Sequence, residues 1–373
     1  MVISRTRLAM AKTMFWFVVS WTACGMLAYR LLRSDSFNWG EEFITIGSGI
    51  MIGLISAAFE LFAVPALTRR HGAGVMIVIR ALGYIIGLSV FLHVVTFPLF
   101  GLFEDGDPLS FLRSDRYRNF VLDGRFAVGL LSLTLMSFVI SFVWQVNRML
   151  GPGTLTALLF GRYRRPVSEE RIFMFLDLKG STAIAERLGD VGFNAFKNDF
   201  YHDLSEPVLQ TRGRIYEYVG DEVVMTWTYR DGLRDGNCIR CFFLIEREVR
   251  RSRREYLDRY GVVPDFKAGV HCGPVVTSEI GDLRKDIVHS GDTVNTTARI
   301  ESLCRPLGQR LLISAALLAR LPPGLGLRLK DLGLRTLRGK EVEVHLYGVL
   351  GKRDRVQNTG PGAGTPSGEE QSE

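Results

Sequence analysis

The sequence is poor in the residues that hold small secreted folds together. Its five cysteines (Cys24, Cys238, Cys241, Cys272 and Cys304) form no even, regular framework, which excludes a disulfide scaffold and points to a reduced, cytosolic compartment. Cys238-Ile-Arg-Cys241 has neither a second pair nor a nearby histidine, so it reads as two buried helical thiols one turn apart rather than a zinc or redox site. There is no internal repeat. The first apolar segment follows a basic stretch, but it is long and has no small-residue cleavage site after it, which argues against a signal peptide. The net charge of +7 would ordinarily raise nucleic acid as a partner. Here many arginines sit beside apolar spans, where the positive-inside rule accounts for them, and no nucleic-acid partner is expected.

What is present is a mixture: 47% hydrophobic residues together with 23% charged ones, in 373 residues. That combination fits a membrane part joined to a soluble part. Four segments, roughly 13–32, 43–65, 81–103 and 126–146, approach the ~20 apolar residues a helix needs to cross a bilayer. The connection Arg69-Arg70-His71 and the exit through Arg148, Arg162, Arg164 and Arg165 are basic, whereas the other two connections carry Glu41, Glu42, Glu104, Asp105 and Asp107. This asymmetry predicts a multi-pass protein of the cell (inner) membrane, with both termini cytoplasmic and two short hairpins outside. Arg80, before the third span, is placed to snorkel to the cytoplasmic surface. Glu60 and His93 lie within spans. They read either as a sensing or proton-linked pair, or as a Glu60 near enough to the cytoplasmic end to hydrate and a neutral His93 bonded to a neighbouring helix. Gly49-Ile-Met-Ile-Gly53 fits a small-xxx-small helix contact.

The organisation that follows is a transmembrane region over 1–146, a juxtamembrane connector over 147–170 broken by Gly151-Pro152-Gly153, a soluble domain over 171–350, and a tail over 351–373 too poor in apolar residues to order. In the soluble domain the pattern predicts a strand at Ile172–Leu176, a helix from Ser181 to about Pro207, and two strands hinged on Gly220-Asp221-Glu222. A helix from about Asp231 to Tyr260 follows, then a strand at Phe266–Ile280, a helix at Asp292–Cys304, a strand at Leu311–Ser314 and a hairpin over 326–350. The order β-α-β-β-α-β with additions predicts an α+β, ferredoxin-like sheet with helices on one face.

Four blocks carry chemistry, the hairpin tip at Asp221 among them. In Phe175-Leu176-Asp177-Leu178-Lys179-Gly180-Ser181-Thr182, Asp177 ends a strand beside amides that open a helix and can cradle phosphate oxygens. In the ferredoxin-like order this strand neighbours the hairpin tip, so Asp177 and Asp221 approach one another. Buried like charges are costly unless a cation bridges them, and Mg²⁺, hard and oxygen-liganded, suits such a pair. In Ser290-Gly291-Asp292-Thr293-Val294-Asn295-Thr296-Thr297-Ala298-Arg299, the amide of Asn295 and the guanidinium of Arg299 share a helix face, suited to a ribose and a phosphate. Leu337-Arg338-Gly339-Lys340 presents Lys340 in a glycine turn, suited to a polyphosphate. Each block alone has an ordinary structural reading: an Asx turn, a helix cap, a surface ion pair, a hairpin. Their order along one chain joins them. Glu222 is expected to point away from the tip, because side chains alternate along a strand.

These blocks resemble the catalytic domain of class III nucleotide cyclases, the adenylate and guanylate cyclase family, over roughly 168–350. The four spans and the GPG-containing connector resemble a bacterial membrane-anchored subgroup. The resemblance implies a metal set of Asp177, Leu178 and Asp221 holding two Mg²⁺ (or Mn²⁺) per site, and phosphate binding by Gly180, Ser181, Thr182 and Lys340. It implies Asn295 and Arg299 as the residues that orient the ribose and stabilise the transition state. Base reading would fall to Glu217 and Val288. The implied reaction converts ATP to 3′,5′-cyclic AMP and pyrophosphate, at sites shared between the chains of a head-to-tail homodimer. A carboxylate at Glu217 can accept from guanine N1 and N2 and cannot donate to adenine N1, and Val288 cannot hydrogen-bond through its side chain. These departures keep GTP and cyclic GMP as the alternative, beside a non-catalytic cyclase-like receptor. Val219-Gly220-Asp221-Glu222 also resembles the GGDEF signature of diguanylate cyclases, but it has one glycine before the aspartate where that signature has two.

Overall fold

The computed structural model describes residues 5–32, 39–64, 73–122, 124–150, 154–283, 285–339 and 342–351. Arg69-Arg70-His71, Gly151-Pro152-Gly153, Lys340 and the tail from Lys352 lie outside these residues. The chain divides into two compact units, Met1–Leu155 and Thr156–Glu373.

The first unit is helical: α1 (Arg5–Leu32), α2 (Trp39–Ala58), α3 (Ala73–Phe91), α4 (Phe97–Asp105), α5 (Ser110–Arg113), α6 (Asp115–Leu122) and α7 (Arg125–Leu150). Among the described residues three helical stretches, Glu42–Ala63, Val78–Leu99 and Ala127–Asn147, are long and apolar enough to cross a membrane. The first of the four expected spans has a shorter apolar helical stretch, Thr13–Leu27. The small-xxx-small expectation is met between α1 and α2. A Cβ on Gly49 would lie 2.8 Å from Thr22 Cα, and one on Gly53 would lie 2.6 Å from Val18 Cα, so only glycine permits this approach. α2 and α3 each run on into a π-helical turn, Phe59–Ala63 and Leu92–Thr96. The second precedes Pro98, which has no N–H to give the ladder. The expected plain hairpin between the third and fourth spans instead folds into α5 and α6.

Glu60 is fully buried, which removes the hydrated alternative. Arg80 is buried as well, so it does not snorkel: its guanidinium turns inward and donates to Glu60 at 3.3 Å and to Gln145. The Tyr84 hydroxyl donates to Glu60 at 3.1 Å and accepts from Ser141 at 2.7 Å. His93 bonds elsewhere, to the Tyr117 hydroxyl of α6 and the Ser89 carbonyl, both at 2.8 Å. Glu60 and His93 are therefore parts of separate clusters.

The second unit is a mixed sheet of order β2-β3-β1-β4-β6-β8-β7, with β5 paired to β4. The strands are β1 (Val167–Leu178), β2 (Arg214–Val219), β3 (Glu222–Thr228), β4 (Phe266–Ile280), β5 (Asp286–Ser290), β6 (Leu311–Ser314), β7 (Arg328–Arg335) and β8 (Val344–Leu350). The segment β2-β3-β1-β4 is the ferredoxin-like order, with antiparallel β1/β3 and β1/β4 pairing. β1 is covered on both faces, which is why it reads as an unbroken apolar run. Ile172, Met174, Leu176 and Leu178 pack on the helix side against Phe196, Phe200 and Phe242. Those three rings belong to α8 (Ser181–Gln210) and α9 (Asn237–Arg251); α10 (Arg253–Tyr260) follows. Phe173 and Phe175 pack on the other side against Val224, Val275 and the helix α11 (Asp292–Ser302), through Val294 and Ala298. α8 is not the single straight helix that the spacing predicts: Gly189 breaks it at φ +67°. Cys238 and Cys241 are buried in the core with their thiols pushed up to about 12 by burial, as expected of inert helical cysteines.

Candidate active site

The alternation of β1 decides where its carboxylate goes. Asp177 has the parity of Phe173 and Phe175 and lies on the α11 face. After Leu178 the chain turns through Lys179 and Gly180, whose φ of +70° is the left-handed conformation that caps α8. The Lys179 amide is committed to the Asp265 carbonyl at 2.8 Å, which leaves the anion cradle to the first-turn amides at Gly180, Ser181 and Thr182. This turn opens into a cleft of about 940 Å³, lined also by Lys267, Arg305 and Arg310.

Asp221 arrives from the hairpin tip. Gly220 takes φ +64°, and its carbonyl accepts from the Tyr201 hydroxyl at 3.1 Å and the Lys197 ammonium at 3.2 Å, tying the turn to α8. Asp177 and Asp221 are brought together as the sequence predicts. Burial raises the Asp177 carboxyl above its ordinary range, and the Asp221 charge adds to this against the pull of Lys267. Two half-buried carboxylates side by side fit a divalent cation, and an ammonium already stands in for one: Lys267 Nζ lies 2.7 Å from Asp177 Oδ2.

Three residues of this cluster escape sequence reasoning. Lys267 lies directly opposite Asp177 in the β1/β4 register and also bonds Glu301 of α11. Glu222 does not point away: it opens β3 opposite Asp177, shares the parity of Val224, and so faces the same side. Burial, then the charges of Glu301 and Asp177, push its carboxyl up to about 7. A signal existed for Lys267, which falls between the core residues Phe266 and Ala268 on the opposite face of β4. Another existed for Glu301, beside Ile300 and one turn past Thr297 on the packed side of α11.

α11 approaches the sheet closely because β4 offers glycines. A Cβ on Gly273 would lie 2.6 Å from Thr293 Oγ1, and one on Gly269 would overlap the Glu301 amide. The helix is thereby fixed with Asn295 exposed and Arg299 half-buried. Arg299 lies against the Arg338-Gly339 turn, with Nη2 3.6 Å from the position of a Gly339 Cβ, while Lys340 falls outside the described residues. Among the described residues no hydrogen bond or ion pair joins Asn295 or Arg299 to Asp177 or Asp221. The structure thus gathers the predicted residues into two groups on one chain, bridged by the Lys267–Glu301 contact.

The two base-reading candidates sit on strands that meet. Glu217 is exposed on β2 and pairs with Val224, which places it on the α11 face. Tyr216, its neighbour at a bulge, packs on His289 with ring centroids 4.9 Å apart and accepts from the His289 amide at 3.1 Å. Val288, next to His289, is half-buried on β5. Burial, helped by the Arg171 charge, lowers His289 to about 4, and its ring bonds Thr277 at 2.8 Å.

Residues 166–350 match the adenylate and guanylate cyclase catalytic domain. The chain is 41% identical over 230 residues to adenylate cyclase 2 of Rhizobium meliloti, covering 62% of each protein. It is 27% identical over 186 residues to an adenylate cyclase of Anabaena cylindrica, covering 47% of this chain and 36% of that one. The chain thus spans less than two thirds of the length of either relative. A bacterial light-regulated adenylyl cyclase of known structure shares the fold, with a TM-score of 0.50 and 19% identity over 60% of this chain and 66% of that one. The paired aspartates on β1 and the hairpin tip, and the helix-borne Asn295 and Arg299, lie within the matched region, and the domain over 166–350 belongs to the adenylate and guanylate cyclase family.

Proposed function

We propose that this chain is a membrane-bound adenylate cyclase that converts ATP to 3′,5′-cyclic AMP and pyrophosphate. The observation that carries the reading is Asp177, paired with Asp221, lining the same cleft as a helix-opening anion cradle. The ribose 3′-oxygen attacks the α-phosphorus, the bond to the bridging oxygen breaks, pyrophosphate leaves, and the 3′-hydroxyl proton passes to solvent. Two divalent cations, Mg²⁺ or Mn²⁺, held by Asp177, Asp221 and the Leu178 main chain would supply Lewis-acid activation of that hydroxyl and neutralise phosphate charge. The chain's own groups do the rest. The amides of Gly180, Ser181 and Thr182, with Lys340, hold the triphosphate. Asn295 orients the ribose, and Arg299 meets the charge developing at the α-phosphate.

The exposure of Asn295, and its lack of any bond to the aspartates of its own chain, support a head-to-tail homodimer in which each site draws its aspartates from one chain and its Asn295 and Arg299 from the other. The apolar helices of the first unit support anchoring in the cell membrane, and the basic connections between them support cytoplasmic termini; anchoring raises the effective concentration of one catalytic domain at another. One observation favours GTP as a second reading: Glu217 is an exposed carboxylate on the nucleotide face, suited to guanine N1 and N2. Full-length protein incubated with ATP and with GTP in parallel, in Mn²⁺, is expected to yield cyclic AMP by mass spectrometry. A faster yield of cyclic GMP moves the substrate to GTP, and neither product overturns the cyclase reading in favour of a cyclase-like receptor.

A further inference from the structure

Lys267 is the point at which the two groups of site residues touch. Its ammonium lies 2.7 Å from Asp177 Oδ2 and bonds Glu301 Oε1, and the three side chains are all largely buried, at 13%, 22% and 9% exposure for Lys267, Asp177 and Glu301. Glu301 cannot drift, because its amide sits on the bare backbone of Gly269. Asp177, Asp221, Glu222 and Glu301 act on one another electrostatically, and Lys267 is bonded to two of them. One ammonium does not balance four carboxylates, so the cluster is short of positive charge in the way an ion-binding site is.

We propose that Lys267 is a positioning residue that serves as the resident counter-cation of the metal pair: it holds Asp177 until a divalent cation arrives, yields that carboxylate, and withdraws onto Glu301. The geometry carries each part. A cation bound at Asp177 Oδ2 would meet an ammonium in hydrogen-bond contact with the same atom, and two positive charges at that spacing repel. The flexible stem of lysine lets the ammonium leave without moving β4, and Glu301 already accepts one of its three N–H groups. Because Glu301 belongs to α11, the helix of Asn295 and Arg299, the withdrawal tightens a bond to the element that carries the other half of the site. This inference rests on the metal reading given above and adds a competitor to it.

The test is Mn²⁺ titration of nucleotide-free, full-length protein in detergent, read by electron paramagnetic resonance of free Mn²⁺. Lys267→Met removes the competitor and is expected to tighten Mn²⁺ binding about tenfold, the equivalent of one unit of lost charge competition, while kcat falls because Asp177 loses its anchor. Lys267→Arg keeps a cation and stays near the wild type. Glu301→Gln removes the refuge, leaves the ammonium on Asp177, and weakens Mn²⁺ binding about threefold, a fraction of the same competition. A purely structural role would move Lys267→Met and Glu301→Gln in the same direction, so that outcome overturns the proposal, as does unchanged binding in Lys267→Met. If Lys267→Met fails to fold, Glu301→Gln carries the test alone, and unchanged or tighter binding overturns the proposal. Asp177→Asn separates the two levels. Retained Mn²⁺ binding there sinks the metal reading itself, and with it the proposal. Lost binding there with no change in Lys267→Met sinks only the role of Lys267.

Discussion

Each unit of this protein buries a cation against a carboxylate, and the two arrangements are balanced differently. In the helical unit Arg80 faces one carboxylate, Glu60, and the remaining partners, Tyr84, Ser141 and Gln145, are neutral. In the cyclase unit Lys267 faces Asp177 and Glu301, with Asp221 and Glu222 acting on the same carboxylates. The first cluster has one positive charge for one negative charge. The second is overdrawn in negative charge and calls for a cation from outside. A matched buried pair fixes a helix position, whereas an unmatched cluster is a place to bind.

The largest effect is expected where the mismatch lies. Asp221→Ala should lower nucleotide turnover on the order of 10³-fold or more, the scale of losing a group that stabilises transition-state charge. It should leave the thermal midpoint near or above that of the wild type, since it relieves repulsion at Asp177. Turnover assays beside thermal unfolding in detergent check both parts. An Asp221→Ala variant with wild-type turnover would erase the distinction between the clusters.

The matched pair should behave in the opposite manner. Arg80→Met strands Glu60 in the bundle and is expected to destabilise the protein by about 3–5 kcal/mol, the usual cost of breaking a buried pair. The double variant Glu60→Gln/Arg80→Met should recover most of that loss, because neutral groups of similar size leave no charge unpaired. Thermal unfolding of the single and double variants measures the coupling. A double variant as unstable as the single one would mean that the pair is more than a structural contact.

The sequence made Asp177 and Asp221 readable because a strand end and a hairpin tip are local signals, and the ferredoxin-like order then brings them together. It made Asn295 and Arg299 readable as a shared helix face. Lys267 and Glu301 were not readable in the same way, since their meeting depends on the β1/β4 register and on how deeply α11 settles onto Gly269 and Gly273. Glu222 departs from its expected direction for a related reason: the strand period does not hold through the turn from Asp221, and only from Val224 within β3 does alternation place it. In the helical unit the apolar spans were legible from composition, but the inward turn of Arg80 was not, because a lysine or arginine near a span end is compatible with either direction.

His289 titrates apart from both clusters, against Tyr216 and Thr277. His289 is lowered from 6.5 to about 4, mainly by burial. Between these values the unfolded chain binds a proton that the folded one refuses, so the contribution to stability is complete above pH 6.5 and is lost as pH falls through about 4. Its size is on the order of 3 kcal/mol. Thermal midpoints across pH 4–6.5 should flatten in His289→Gln relative to the wild type, and an unchanged slope would place the acid sensitivity in other groups.

The smallest effect tests how the unmatched cluster is held in place. The Gly220 carbonyl before Asp221 accepts from two donors on α8, Tyr201 and Lys197, and both bonds are exposed to water. Removing one donor leaves the other in position, so Lys197→Ala or Tyr201→Phe alone should cost less than about 1 kcal/mol of stability and change turnover only about twofold, equivalent to a few tenths of a kcal/mol in barrier. Removing both leaves the carbonyl without a partner on α8 and frees the turn that aims Asp221. The double variant should therefore lose more turnover than the product of the two single losses. The Glu60–Arg80 pair has no such redundancy, since among the described residues Glu60 has a single cationic partner, and its single and double variants depart from additivity in the opposite sense. If the two turn variants combine additively, the donors act independently, and the aim of Asp221 is set by the β2–β3 ladder instead.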